Sequence, residues 1–225
     1  MIKNIANLGD AAIYCDFGTE VNKEINSKVI KYFMTLRKKN FKGITNLSPS
    51  YNKLVITFDI NETSYHNLKQ EILDLDVEDK IESEFKKIRI PTCFHNDFSL
   101  DIDRLEKRLN KSKREIIDLF LKRKYFCYMT GFVAGMPFLG DIDNKIQLNR
   151  LETPRVKVPK GAVGLTEQFC NIYTFESPGG WNIIGSTPTT IFNPKKKTKP
   201  NLISPGDEIT FYEINKKEYL KLYEQ

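Results

Sequence analysis

Nine of the 12 glycines and eight of the 10 prolines in this 225-residue chain lie beyond residue 130. Both residues interrupt helices and strands, so the two ends of the chain cannot be built in one style. Long helical patterns fall before that point and short, turn-punctuated runs after it. The asymmetry predicts two domains of different class, residues 1–86 and 87–225. A chain of this length can bury a sizeable core without disulfides or metals.

The first part alternates strands and helices. Ala11 to Phe17 reads as a strand ending at Gly18. Ile25, Val29, Phe33 and Leu36 recur at helical spacing, which predicts an amphipathic helix over 22–39. Gly43 to Leu47 follows as a strand. Lys53 to Ile60 then alternates, with Leu54, Ile56, Phe58 and Ile60 on one face. Leu68, Ile72 and Leu75 give a second helix, and the acidic and basic stretch from Asp76 to Lys87 is a candidate exit. The order β-α-β-β-α predicts a small split-βαβ domain.

Lys87 to Cys93 reads as a bridging strand ahead of two helical segments. Ser112 with Glu115 is a capping-box signature before Ile116, Ile117, Leu119 and Phe120. From Tyr125 the runs YFCYMTGF, PRVKVP, AVGL, NIYTF, WNII, TTIF and EITFYEI suggest seven strands of a closed barrel or sandwich.

Charge and composition exclude several functions. The net charge is +6, and residues 101–124 alone hold nine Lys/Arg against five Asp/Glu. A second cluster is Lys195, Lys196, Lys197 and Lys199. Neither shows aromatic interleaving or a recognition helix, so solvated faces are expected and nucleic acid is not. No window has the apolar length of a membrane span, and the N-terminus is a poor signal peptide; a cytoplasmic protein is expected. Cys15, Cys93, Cys127 and Cys170 form no C-x-x-C pair, and His66 lies far from His95. Reduced, buried thiols and no metal site follow.

The stretch ESPGGWNIIGSTP, Glu176 to Pro188, concentrates three glycines, two prolines and the single tryptophan. It reads as a tight turn, a short strand from Trp181 to Ile184 and a second turn at Gly185. Such turns are fold corners or places where backbone approaches a ligand. The G-x-x-x-x-G spacing from Gly180 is no phosphate loop: Ser186 stands where the lysine belongs and no long helix follows. TGFVAGMPFLGD, Thr130 to Asp141, has the same style; its glycines could let amides converge beside Phe132, Phe138 and Leu139, or simply join barrel strands. Asp141 and Asp143 lack the spacing of a calcium loop and read as turn residues. Arg155, more than Arg150, is a candidate clamp for a carboxylate or phosphate. Glu176 is a candidate acid/base or a turn-capping carboxylate.

Taken together, GF-x-x-G-x-P-x-LG at 131–140, TPR-x-x-VP-x-G-x-VG at 153–164, ESPGGW-x-x-IG-x-TP at 176–188 and LISPGDEITF at 202–211 closely resemble one family. It is the family of the B subunit of 5-oxoprolinase (PxpB), also called KipI or allophanate hydrolase subunit 1. LGDAAIYCDFG at 8–18 and ITNLSPSYNKLVITFD at 44–59 extend the resemblance to nearly the whole chain. It implies a small N-terminal α/β domain followed by a cyclophilin-like β-barrel. It also implies two partners, a second cyclophilin-like (KipA-like) C subunit and an amidohydrolase-like A subunit. The associated activity is ATP-dependent opening of 5-oxoproline to glutamate, with ATP as co-substrate making a leaving group of the lactam oxygen. The alternatives that the family carries are inhibition of a sensor histidine kinase and an accessory role in an allophanate-type amide hydrolase. Glu176 and Arg155 are the expected catalytic residues. Gly131, Phe132, Gly135, Ser177, Gly179, Gly180 and Trp181 are the expected binding surface. Two departures stand out. Ala134 replaces a proline of the GFxPGFPYLG pattern, and Phe169-Cys170-Asn171-Ile172-Tyr173 stands where many relatives have Gln-Thr-Gly-Ile-Tyr.

Overall fold

The computed structural model describes residues 2–77 and 85–224, and the chain divides into two compact units, Met1–Glu84 and Phe85–Gln225. The first unit holds strands β1 (Asn4–Asn7), β2 (Ala12–Asp16), β3 (Ile44–Pro49) and β4 (Lys53–Phe58) with helices α1 (Lys23–Lys39) and α2 (Tyr65–Leu73). The sheet order is β1-β2-β4-β3, each neighbouring pair antiparallel. β2 and β3 therefore run parallel through α1 with β4 inserted between them, which is the split-βαβ arrangement. β1, which the sequence pattern did not reveal, adds a fourth strand. Its four residues bury only Ile5, too few for a readable alternation. Part of the 76–87 stretch lies outside the described residues.

Local chemistry explains the boundaries. Asn22 caps α1 by accepting the Ile25 N–H at 2.9 Å, and Asn40 ends it in the left-handed region at φ 49°. Val29 and Leu36 are buried in the core with Ile13, Leu54 and Ile56 of the sheet. On β4, Leu54, Ile56 and Phe58 enter the core as the alternation requires, whereas Ile60 lies beyond the strand's end and is 62% exposed.

At the start of β4, the Lys53 ammonium meets the Asp16 carboxylate at 2.6 Å, with both side chains mostly covered. That hydrogen bond, against a smaller desolvation effect, holds the Asp16 carboxyl below its ordinary value of 3.8. A depressed carboxyl stabilises the fold above its unfolded pKa and loses that contribution as pH falls through the folded one. The pair should contribute about 0.5–1 kcal/mol at neutral pH. The urea midpoint of Lys53→Met should accordingly drop less than that of the wild type between about pH 6 and about pH 3. Equal drops would show that the pair contributes nothing.

The second unit is organised around β5 (Lys87–Thr92), β6 (Tyr125–Thr130), β7 (Pro137–Gly140), β8 (Arg155–Val158), β9 (Ala162–Thr166), β10 (Phe169–Ile172), β11 (Ser177–Gly179), β12 (Asn182–Ser186) and β13 (Glu208–Glu213). Seven of these strands form one sheet in the order β12-β9-β10-β7-β6-β13-β5. Its two ends meet where the Cys93 and Ser186 backbones exchange hydrogen bonds of 2.8 and 3.0 Å, which nearly closes a barrel. Helices α3 (Ile102–Leu109), α4 (Lys113–Leu121) and α5 (Lys216–Tyr223) complete the unit. The core runs from Ile90 through Phe120, Tyr125, Leu139, Val163 and Ile184 to Phe211. The capping box of α4 is formed as expected, Ser112 and Glu115 each satisfying the other's backbone N–H.

Three local expectations need correction. Thr189 to Phe192 forms no strand, only an isolated bridge from Phe192 to Asn201. Pro137–Gly140, read as a loop or ligand turn, is instead a barrel strand between β6 and β10. Proline is tolerated there because it occupies the strand's first position, where it removes no interior ladder bond. Gly185 is not a turn but lies inside β12 at an irregularity in the pairing with β9. A Cβ there would sit 2.8 Å from the Cys93 carbonyl, so glycine permits the seam that closes the barrel. All four cysteines are free and buried. Burial holds the Cys15 thiol up at about 12 and raises Cys127 and Cys170 well above the ordinary thiol value.

Candidate functional site

A two-stranded ribbon, β8 with β11, flanks the barrel, with an irregular register between Ser177 and Gly179. The opening part of ESPGGW is thus an edge strand rather than a turn, and Pro178 is tolerated because only one neighbour pairs with it. The next residues pass beneath Arg150 and Tyr173. A Cβ on Gly179 would collide with the Tyr173 hydroxyl, and one on Gly180 would sit 3.1 Å from the Arg150 Nε. Glycine is required at 179, where the Tyr173 ring rests directly on the backbone, whereas at 180 a methyl would only press the Arg150 side chain aside. The Leu151 N–H donates to the Gly180 carbonyl at 2.6 Å, locking the Arg150 loop to the same point.

Between these elements lies a pocket of about 370 Å³ whose walls include Met136, Phe138, Tyr173 and Trp181, with Phe132 at its edge and Arg150 and Asn171 as its polar groups. Phe138 and Trp181 meet edge to face, ring centroids 5.6 Å apart. Tyr173 is buried beside Met136, Val158, Ala162 and Ile183. Burial raises its hydroxyl pKa, partly offset by hydrogen bonds from the Asn171 side chain and the Trp181 backbone and by the charges of Arg155 and Arg150. Asn171 is 2% exposed, and its Nδ2 reaches the Met136 sulfur at 3.5 Å. Its Oδ1 has no hydrogen-bond partner. It lies over Gly164 on the neighbouring strand, where a Cβ would stand 2.8 Å away. A buried acceptor without a donor is costly, on the order of 1–3 kcal/mol. A ligand N–H would relieve that cost.

The expected site residues separate into three groups. Gly179, Gly180, Trp181 and Phe132 line the pocket. Gly131, Gly135 and Ser177 support it: Gly131 donates its N–H to the Met136 carbonyl at 3.0 Å, Gly135 packs beneath Phe192, and Ser177 is buried in β11. The remaining two point elsewhere. Arg155 forms a two-pronged pair with Asp101, at 2.6 and 2.9 Å, and Asp101 also accepts the Ile183 N–H at 2.6 Å. Glu176 is 58% exposed and pairs with Lys157 at 3.1 Å. Neither lines the pocket.

Residues that the sequence did not single out for the site are Met136, Pro154 and Tyr173, and Asn171 was noted only as a departure. Apolar and tyrosyl members of strands carry no sequence mark that separates a pocket wall from a core. The Asn171 departure was the one readable signal, a polar amide in a strand whose neighbours Cys170 and Ile172 are fully buried.

A split-βαβ unit followed by a nearly closed barrel with a ring-lined pocket defines a class that comparison with known proteins makes specific. The family model described as "Carboxyltransferase domain, subdomain C and D" matches residues 3–203. The B subunit of 5-oxoprolinase from Bacillus subtilis (strain 168) is 32% identical, over 96% of this chain and 94% of that protein. The crystal structure of TTHA0988 superposes with a TM-score of 0.82 at 28% identity, over 90% of this chain. This chain spans only 40% of that longer one. The urea amidolyase of K. lactis shares the fold, with a TM-score of 0.80 at 18% identity, over 98% of this chain and 15% of that one. The chain belongs to the carboxyltransferase subdomain C and D family, among the B subunits of 5-oxoprolinase.

Proposed function

We propose that this protein is the B subunit of an ATP-dependent 5-oxoprolinase, incomplete alone. Its partners are an amidohydrolase-like A subunit, which completes the hydrolase, together with a second cyclophilin-like C subunit. The observation that carries the reading is the match, along almost the full length of both chains, to a B subunit of 5-oxoprolinase. The pocket supports it chemically. A lactam acid such as 5-oxoproline is a small ring with a flat amide edge, one amide N–H, one amide oxygen and one carboxylate on a tetrahedral carbon. Ring faces of Phe138 and Trp181 suit the flat amide edge. The Asn171 amide can accept from the lactam N–H and donate to its oxygen, and Arg150 can hold the carboxylate as a two-donor fork. ATP, when bound, supplies the phosphoryl group that makes the lactam oxygen a leaving group. In this chain, Asn171 would orient the amide whose oxygen is activated, and the ring walls would exclude bulk water from it.

Asn171 stands where many relatives have glycine, so its amide adds a polar contact and narrows the floor. The exposed Glu176–Lys157 pair lies outside the pocket, in contact with solvent, and Glu176 remains our candidate for moving a proton to or from water.

The test is glutamate formation from 5-oxoproline and ATP by the cognate A and C subunits, with and without this chain. Turnover should require it. Asn171→Ala should raise KM by about tenfold through one lost hydrogen-bonded contact. Glu176→Gln should abolish turnover while leaving KM for 5-oxoproline nearly unchanged. Full activity in that variant would remove Glu176 from the chemistry. No turnover from a folded, assembled complex would overturn the reading.

A further inference from the structure

Beside the aromatic pocket lies a second hollow, of about 470 Å³, with Arg104, Arg108, Arg150, Asn149, Glu152 and Pro154 in its wall. We propose that this hollow is a polyphosphate-binding site, and that its ligand is the phosphate chain of a nucleotide acting on the molecule in the adjoining aromatic pocket. The second half of that statement rests on the lactam reading above; the first half does not.

The basic excess of residues 101–124 finds a location here. Arg104 and Arg108 stand one turn apart on α3, so their guanidiniums rise from the same face. Elsewhere in this unit Arg114 meets Asp118 and Glu213 and Arg155 meets Asp101, while Arg89 lies over the Tyr212 ring and Arg123 donates to the Asp141 backbone carbonyl. Among the described residues, no carboxylate lies within 4.0 Å of Arg104, Arg108 or Arg150. Arg104 is nevertheless held in place, by a hydrogen bond to the Asn182 Oδ1. Asn182 is fully buried and fixed in turn, its Nδ2 donating to the carbonyls of Asn149 and Leu165 at 3.1 and 3.0 Å. A neutral amide thus orients the guanidinium and leaves its charge uncompensated. Three such forks around one hollow, against a single acid, Glu152, exceed what one carboxylate can accept. They suit a ligand with several charged oxygens.

Arg150 and Pro154 belong to both walls. An anion in the arginine hollow therefore borders the aromatic pocket, with Arg150 between them. That adjacency is what terminal phosphoryl transfer requires: the acceptor oxygen in the aromatic pocket forms the new P–O bond, the bond from the γ-phosphorus to the β-phosphate oxygen breaks, and the nucleoside diphosphate leaves from the arginine hollow.

The test is titration calorimetry on the purified full-length chain with three probes: inorganic tripolyphosphate, ATP and 5-oxoproline. Tripolyphosphate should bind saturably and more weakly as sodium chloride is added. Arg104→Gln and Arg108→Gln should each weaken it about tenfold, the loss expected for one charge-assisted contact. Arg108 is exposed and lacks a partner among the described residues, so Arg108→Gln should keep the wild-type melting curve. Unchanged affinity in Arg108→Gln, or no saturable binding of tripolyphosphate to the wild type, would overturn the anion site. ATP binding at least as tightly as tripolyphosphate supports a nucleotide source, and much weaker ATP binding overturns it. Tripolyphosphate binding by this chain, with no 5-oxoproline binding when the same titration is repeated on its complex with the A and C subunits, leaves the anion site standing and removes the lactam reading; the reverse result does the opposite.

Discussion

Replacing Asp101 by alanine should lower the unfolding free energy of the barrel unit by about 3 kcal/mol, the largest stability loss expected from a single polar side chain here. Asp101 is 5% exposed and does three things at once. Its carboxylate receives both prongs of Arg155 and the Ile183 N–H, while its own N–H donates to the Ile183 carbonyl at 3.0 Å. Although it stands at the N-cap of α3, it makes no capping bond with its side chain. Both oxygens are already committed across the structure, to β8 and β12. Alanine would strand a partly covered guanidinium and a buried N–H together. Arg155 is 29% exposed, which lets water recover part of the loss and keeps the figure at the low end of the range for broken buried pairs. Asp101→Asn keeps an acceptor for Ile183 and should cost about half as much. Urea denaturation of both variants checks the ordering. Asparagine as damaging as alanine would mean that the charge, not the acceptor geometry, carries the effect. Alanine within about 0.5 kcal/mol of wild type would show that the network contributes little.

Gly179→Ala should have the largest effect on ligand binding. The added methyl would fall on the Tyr173 hydroxyl. That ring cannot simply retreat, because Tyr173 is packed against Met136, Val158, Ala162 and Ile183. The relief must come from displacing β11 or turning Tyr173 into the pocket, and either change narrows the space between Tyr173 and Trp181. Overpacking of this kind costs about 1–3 kcal/mol of stability. A larger change should appear in 5-oxoproline binding to the assembled enzyme, a loss of about a hundredfold or more if the pocket closes. The matching experiment is Tyr173→Phe in the Gly179→Ala background. Removing the hydroxyl removes the worst contact and leaves the ring carbons at 2.8 and 3.0 Å, so it should restore part of the binding, whereas a simple loss of backbone freedom would not be rescued. Binding unaffected by Gly179→Ala would place the ligand elsewhere.

Both variants mark the limits of reading function from sequence. The concentration of glycines in ESPGGW pointed to a close approach of backbone by something, and the structure supplies it: the Tyr173 hydroxyl over Gly179 and the Arg150 guanidinium over Gly180. The Phe169-Cys170-Asn171 stretch was legible as a departure from the family pattern, with Asn171 not singled out within it. Its meaning, a buried amide facing a glycine across the ladder, was not. The two arginines flanking LETP illustrate the harder case. In sequence Arg155 is the better candidate clamp of the two. In space Arg155 is engaged by Asp101, and it is Arg150 that borders both hollows.

Features that depend on near neighbours along the chain could be read directly from the residues. The split in style near residue 130, the helix caps, the alternation of β4 and the exclusion of a phosphate loop all rest on local sterics and hydrogen bonds. Three-dimensional packing was needed to settle which charged groups are engaged and which remain open. Asp101 meets Arg155 across 54 positions and Ile183 across 82. Barrel closure through Cys93 and Ser186, and the convergence of Asn171, Tyr173 and Trp181 on one pocket, are likewise choices among distant partners. Local propensity is silent on such choices, since a guanidinium has the same charge and reach whether its carboxylate is folded against it or absent.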